Sequence, residues 1–274
     1  MPVFNAAAYI KAALESVASQ TFSNYELLVL DACSADDTCS IVKRYQLKDK
    51  RIRLVSEKDK GIYDAMNKGV ALAKADWLYF MGSDDGFYNR HVLQDISVFL
   101  SQENDLVYGD VLWVPDEIKE EGEWTHRKLL KQNINHQRIF YRKSLFEQYG
   151  GYQLQYRIAA DHELNVRFFC NAAVRKLHIP LLIARYHAGG FSANKIDEVF
   201  WNDWDTIILK NFKPWLPAKE IYARLGWYCW YNIEQRHFGK AAALFLKVYL
   251  HTFSFNFVKI SIAQLLKEFG LRKF

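Results

Sequence analysis

The sequence predicts an α/β protein: a mixed, mostly parallel sheet flanked by helices, followed by a helical extension at the C-terminus. Two patterns carry this expectation. From Ala6 to Tyr108, apolar residues recur alternately at helical spacing and in short continuous runs. Helices between consecutive strands act as crossovers that leave the strands parallel. From about Ile196 the alternation stops, and long aromatic-rich helical patterns take over. Half of the 274 residues are apolar, which supplies a core large enough for such a sheet.

The elements follow in order. Ala6, Ile10, Ala13, Leu14 and Val17 mark a helix, and Glu26 to Leu30 is a buried strand ending at Asp31. Asp36 and Asp37 are helix-capping residues before a helix through Ile41, Val42 and Tyr45, and Arg51 to Val55 alternates as a strand. Gly61 punctuates the loop before a helix from Tyr63 to Lys74, and Asp76 to Met81 is the next strand. A helix from Arg90 to Leu100 and a strand from Asp105 to Tyr108 precede a looser, strand-rich stretch through Trp113, Trp124 and His136. Ile158 to Cys170 is again helical, Leu181 to Tyr186 is a strand, and His187 to Ser192 is a loop.

The four cysteines form no C-x-x-C pair, which argues against a zinc site or a disulfide framework and for a reducing compartment. Met1-Pro2-Val3 does not open a signal sequence, and no apolar stretch of spanning length follows, so the expected location is cytoplasmic. Charge is unevenly spread: residues 1–213 carry a net −1 and residues 214–274 a net +6. Basic aromatic helices of this kind fit either an anionic membrane surface or a bundle packed on the main domain. No nucleic-acid-binding motif accompanies the charge.

The segment Ser56 to Asp85 is the most informative about chemistry. It reads as a polar loop, a helix and a buried strand that delivers Asp84 and Asp85 at its end, where open α/β sheets place ligands. Adjacent carboxylates repel unless a cation or donors neutralise them, so a divalent metal is one explanation and a solvated helix cap the other. Asp64 and Lys68 share a helical face by their i, i+4 spacing. Asp161 opens the Ile158 helix, where the helix dipole alone favours an acid.

Taken in order, the motifs resemble the inverting family 2 glycosyltransferases of GT-A fold, a Rossmann-like nucleotide-diphospho-sugar transferase fold. The similarity is greatest to bacterial members that build colanic acid, capsules, exopolysaccharides and O-antigens. It covers roughly Met1 to Ser192 and rests on Pro2-Val3-Phe4-Asn5, on Asp31 to Thr38, and on the run Glu57 to Gly69. Ser83-Asp84-Asp85, His136-Gln137 with Arg142 to Phe146, Ala160 to Glu163, and Gly189 to Ser192 complete it.

The resemblance implies a nucleotide-sugar donor, a glycan or lipid-linked glycan acceptor, and Mn2+ or Mg2+ as cofactor. It implies Asp85 as metal ligand with Asp84 assisting at the donor. It further implies Asp31 at the nucleobase, Lys58 near the phosphates, and Asp64 and Lys68 in the donor pocket. His136 and Gln137 would touch the acceptor, and His187, otherwise a plain loop residue, would contact the metal or phosphate beside the Gly189-Gly190 loop. Asp161 would be the catalytic base, although Ala160 stands where many members carry Glu.

By the same resemblance, residues 1–195 form the glycosyltransferase domain, with 1–100 the nucleotide-binding half and 101–195 the acceptor half. Residues 196–274 are the helical, basic extension, with 214–274 giving peripheral contact with the inner face of the cytoplasmic membrane. The family's opening apolar strand does not precede Met1-Pro2, which implies an open slot in the core unless the start lies upstream or another segment fills the gap; a truncated product is the third reading. Two rival readings are an inactive nucleotide- or sugar-binding remnant and a nucleotidyltransferase; the absence of a Gly-rich basic loop weighs against the latter.

Overall fold

The computed structural model describes residues 1–101, 103–187, 196–234 and 236–252. Strands β1 (Pro2–Val3), β2 (Leu27–Asp31) and β3 (Ile52–Ser56) form a parallel sheet in that order. Helix α1 (Ile10–Ala18) buries Ile10, Ala13, Leu14 and Val17, the i, i+3, i+4, i+7 stripe that the sequence spacing requires. Helices α2 (Thr38–Lys48) and α3 (Ile62–Leu72) follow β2 and β3, and α3 packs on β1 and β2. The start of α3 is set by Gly61, whose φ of 119° lies in the region an L side chain rarely adopts.

The next elements are β4 (Trp77–Tyr79), β5 (Gly86–Phe87), α4 (Val92–Ser97), β6 (Leu106–Val114) and β7 (Ile118–Glu120). Helix α5 (His126–Lys131), a 3-10 turn (His136–Arg138), β8 (Ile139–Arg142), α6 (Lys143–Tyr149), α7 (Ala160–Phe169) and β9 (Lys176–His187) follow. These strands form a mixed sheet in the order β4-β8-β6-β9-β5, with β7 paired to β6. Only β6 and β9 run parallel in it. The strand expected from Asp76 to Met81 is shortened because its last residues curl into the loop carrying Asp84 and Asp85.

Both sheets belong to one compact unit, residues 1–124 with 133–200. Its core joins Ile10, Leu14, Val29 and Ile52 around the first sheet to Val107, Val111, Phe140 and Ile183 around the second. A second unit comprises 125–132 and 201–274, built from α5, α8 (Glu198–Asn211), α9 (Ala218–Glu234) and α10 (Phe238–Thr252). Within it the His126 ring stacks on Trp215 at 4.3 Å, and Arg127 grips Glu220 through two bonds of 2.7 and 2.8 Å. Among the described residues no helix is long and apolar enough to cross a membrane.

Between the β1 edge of the first sheet and β4 at the edge of the second runs an apolar groove of about 540 Å³. Leu28, Leu30, Trp77, Tyr79 and Phe140 line it. β1 pairs with β2 only at Leu30 and Asp31, so Leu27 to Val29 have no strand partner on that side among the described residues. The amine of Met1 is buried beside this edge, donates to the Leu28 carbonyl at 2.9 Å, and is lowered by burial to about 5.

Candidate active site

The C-terminal end of β2 delivers Asp31, 2% exposed. Its carboxylate accepts from the Ser34 and Ser56 hydroxyls at 2.5 Å each, the Cys39 thiol at 3.1 Å and the Ser34 N–H at 3.2 Å. Burial pushes this carboxyl up, but those donors together hold it below its usual range. A further donor to this carboxylate therefore has to displace one of these. Close by, the Lys68 ammonium reaches Glu57 at 3.0 Å, Asp64 at 3.5 Å and the Lys58 carbonyl at 2.8 Å. Asp64 accepts the Lys60 N–H at 3.0 Å. Asp31, Glu57, Asp59 and Lys68 share a small recess, while the Lys58 side chain is on the exposed surface.

The β4–β5 loop brings Asp84 and Asp85 back over Gly82. A Cβ at Gly82 would meet Asp85 Oδ2 at 2.4 Å, Asp84 Oδ1 at 3.0 Å and Gln137 Nε2 at 3.3 Å. The missing side chain is what lets the carboxylates and the amide converge. Asp85 is buried; its Oδ1 accepts the His187 N–H at 2.8 Å and its Oδ2 accepts from Gln137 Nε2. The His187 imidazole stands 3.7 Å from Oδ1. Burial raises the Asp85 carboxyl above its usual range, and the Asp84 charge adds to the rise. Gln137 Oε1 is buried and has no hydrogen-bond partner among the described residues.

These residues fit a divalent cation. The Asp84 and Asp85 carboxylates face a cradle that one Cβ would fill, and the buried carboxyl is one whose ionised form a cation would favour. Among the described residues no group of three or more His, Cys, Asp or Glu is placed to hold a metal ion by itself. The remaining ligands would have to come from bound substrate or water, as is usual for Mg2+.

Helix α7 carries Asp161 in its first turn. Asp161 Oδ1 accepts from the Tyr63 hydroxyl at 3.0 Å and the His162 N–H at 2.8 Å, and Oδ2 accepts from Asn133 Nδ2 at 2.9 Å. His136 Nδ1 lies 3.6 Å from Oδ2. Burial pushes Asp161 up; His136, His162 and the Tyr63 hydroxyl overcome it and hold the carboxyl below its usual range. Ala160 is fully buried, so the position that differs from the family pattern serves packing here.

One turn links the two acidic centres. Asn135 caps the 3-10 segment by accepting the Gln137 N–H at 2.8 Å. His136 then points at Asp161 and Gln137 at Asp85. The next residue, Arg138, is fully buried and anchors the turn: Nε donates to the Gly109 carbonyl at 2.6 Å, Nη1 to Glu120 at 3.0 Å, and Nη2 to Asp110 at 3.1 Å. His178 Nε2 approaches the same Asp110 oxygen at 2.9 Å.

The model of the family described as glycosyl transferase family 2 matches residues 1–177. The chain belongs to that family. Over 205 residues this glycosyltransferase is 38% identical to the "PGL/p-HBAD biosynthesis glycosyltransferase" of Mycobacterium bovis, covering 73% of this chain and 80% of the relative. It is 32% identical over 83 residues to the putative glycosyltransferase EpsH of Bacillus subtilis, covering 30% of this chain and 24% of that one.

In structure it is similar to S. aureus TarS 1-349 in complex with UDP-GlcNAc, with a TM-score of 0.64 and 19% identity, covering 96% of this chain and 78% of that one. It spans 42% of the longer TarS chain. The mannosyltransferase PcManGT from Pyrobaculum calidifontis, in complex with GDP-Man and Mn2+, superposes with a TM-score of 0.60 at 17% identity, covering 99% of this chain and 79% of that one. The fold is GT-A-like, with a helical C-terminal region, as the sequence predicts.

The glycosyltransferase therefore groups Asp84, Asp85, His187 and Gln137 around one centre and Asp161 with His136 around the next. Asp31 at the end of β2 shares a small recess with Lys68 of α3, and Asp64 pairs with Lys68. Gly189 and Gly190 fall outside the described residues. Sequence reading missed Gly82, Tyr63, Asn133 and Arg138. Of these, Tyr63 left a signal, since it shares a helical face with Asn67 four residues on.

Proposed function

We propose that this family 2 enzyme is an inverting glycosyltransferase that moves a sugar from a nucleotide-sugar onto a glycan or lipid-linked glycan acceptor in cell-surface polysaccharide biosynthesis. The observation that carries the reading is the single turn whose His136 points at Asp161 and whose Gln137 points at Asp85, two carboxylates held in opposed states. Asp161 is held in its ionised form by its donors, whereas Asp85 is raised by burial. Environments that push paired acids apart assign them different roles. Asp161, ionised at neutral pH and still partly accessible, accepts the proton of the acceptor hydroxyl through Oδ2 as that oxygen attacks the anomeric carbon. The sugar–phosphate bond breaks on the opposite face, which inverts the configuration.

On the donor side, Asp31 faces the nucleobase, with Asp64 and Lys68 lining the same pocket and Lys58 near the diphosphate. Asp85, with Asp84 and His187, would hold Mn2+ or Mg2+, which when bound neutralises charge on the departing diphosphate. His136 and Gln137 meet the acceptor, and the unpartnered Gln137 oxygen is free to receive a sugar hydroxyl. The ligands of the two structural neighbours, UDP-GlcNAc in one and GDP-Man with Mn2+ in the other, support this assignment. Exposed Trp227, Phe238, Leu246 and Leu250 in the basic C-terminal unit support contact with an anionic membrane surface.

Thermal unfolding with uridine, guanosine and thymidine diphosphates, each with and without manganese, tests the donor site, because a ligand of the native state raises the midpoint. A manganese-dependent rise with one nucleotide supports the reading, and no rise with any of them overturns it. Asp161→Asn should then keep that rise and lose turnover by roughly 10²- to 10⁴-fold, the usual worth of a positioned base.

A further inference from the structure

Helix α3 presents two pairs of residues at i, i+4 spacing, and the donor pocket uses only one of them. Asp64 and Lys68 face the donor side. Tyr63 and Asn67 face the acceptor half: Asn67 clasps the backbone of Tyr152 through Nδ2 to O and N to Oδ1, both at 2.9 Å. The buried Tyr63 ring stacks on Tyr152 at 5.2 Å. Its hydroxyl ends between two acceptors, the Ile158 carbonyl at 2.6 Å and Asp161 Oδ1 at 3.0 Å.

A phenol has one proton to donate. While Asp161 is ionised, its oxygen is the stronger acceptor by charge and the carbonyl the closer by distance. Once Asp161 is protonated, Oδ1 becomes a carbonyl-type oxygen and its pull on the phenol falls. We infer that Tyr63 is a positioning residue for Asp161, its hydroxyl hydrogen bond passing from Oδ1 to the Ile158 carbonyl as Oδ2 takes up the acceptor's proton. The proton itself stays on the Tyr63 oxygen throughout. The acceptor O–H bond breaks, its proton goes to Asp161 Oδ2, and only a hydrogen bond changes partner at Tyr63.

The arrangement keeps the buried phenol satisfied before and after the transfer. It also ties the base to the helix that carries Asp64 and Lys68, so the donor pocket and the base share one rigid element. The inference rests on the reading of Asp161 as the base. The titratable groups facing Asp161 are His136 from the 3-10 turn, His162 from α7, Tyr63 from α3, Tyr141 from β8 and Tyr152 from the loop before α7. Of these, only Tyr63 has a hydroxyl within hydrogen-bond distance of it.

The test is titration of the Asp161 carboxyl, followed by carbon NMR of protein labelled at the aspartate carboxyl and assigned by comparison with Asp161→Asn. Tyr63→Phe, which keeps the ring and its stacking, should move the Asp161 midpoint upward by about one unit, a tenfold change, because a donor to the ionised form is lost. The acid limb of turnover should move with it, while nucleotide affinity stays the same. A midpoint unmoved in a variant that unfolds cooperatively overturns the inference; a merely structural role would lower the melting temperature and leave the midpoint in place. Full turnover in Asp161→Asn would instead overturn the base assignment, whatever Tyr63→Phe does to the midpoint.

Discussion

Replacing Gly82 by alanine puts a methyl carbon 2.4 Å from Asp85 Oδ2 and 3.0 Å from Asp84 Oδ1. Ordinary van der Waals contact begins near 3.4 Å, so Oδ2 has to retreat by about 1 Å. Asp85 cannot retreat freely, because it is buried and held by the His187 N–H on one oxygen and by Gln137 on the other. The displacement therefore falls on the geometry of the proposed cation and donor site. A misplacement of about 1 Å typically costs on the order of 100-fold in rate. The assays are manganese titration in the presence of the preferred nucleoside diphosphate and turnover at saturating acceptor. Gly82→Ala should lose about two orders of magnitude in turnover, with a smaller change in unfolding midpoint, since the loop lies at the sheet's end. Wild-type manganese affinity and turnover in this variant would refute the placement of the cation at Asp84 and Asp85.

Other perturbations separate stability from chemistry. Arg138→Met leaves buried Asp110 and half-buried Glu120 without their guanidinium and should cost about 3–5 kcal/mol in urea unfolding; a loss below about 1 kcal/mol would show that the network contributes little. Asp31 has a folded-state carboxyl below its usual range, so its contribution is present above the unfolded value and disappears as pH falls through the folded one. Asp31→Asn should accordingly be less stable than wild type at pH 7 and converge with it in acid, and an undiminished gap at low pH would contradict the assignment. Leu246→Glu with Leu250→Glu should weaken binding to anionic vesicles by about tenfold or more, and binding to neutral ones by less. Equal binding would move the membrane contact elsewhere.

The fold was legible where periodicity is local. The α1 stripe, the buried run of β2 and the helix opening at Asp161 all follow from spacing within a few residues. β9 is longer than the expected Leu181 to Tyr186 and runs through a proline, a residue that usually interrupts a ladder. Here Pro180 falls in the register irregularity between the His178 and Leu182 pairings, where the ladder skips residues. Asp84, Asp85 and Asp161 were readable because charged residues at element ends stand out. Asn133 and Arg138 were not, since their partners lie 28 and 18–29 positions away and no local pattern encodes such pairs. Gly82 was hidden for a different reason: its function is an absent side chain, visible only once the carboxylates are in place.

The two sheets of the first unit lie side by side, but their backbone ladders stop at the groove. Opening the β1–β2–β3 ladder breaks no strand pairing in the other sheet, so the amides of β6, β8 and β9 stay bonded while those of β2 and β3 meet water. Amide hydrogen exchange should therefore sort the slow protons into two families, with a break running through a single unit rather than between units. Leu28 and its neighbours would join the faster family. The sheet that carries Asp31 then loosens while the sheet holding β8, the strand that follows the Arg138 turn, keeps its shape.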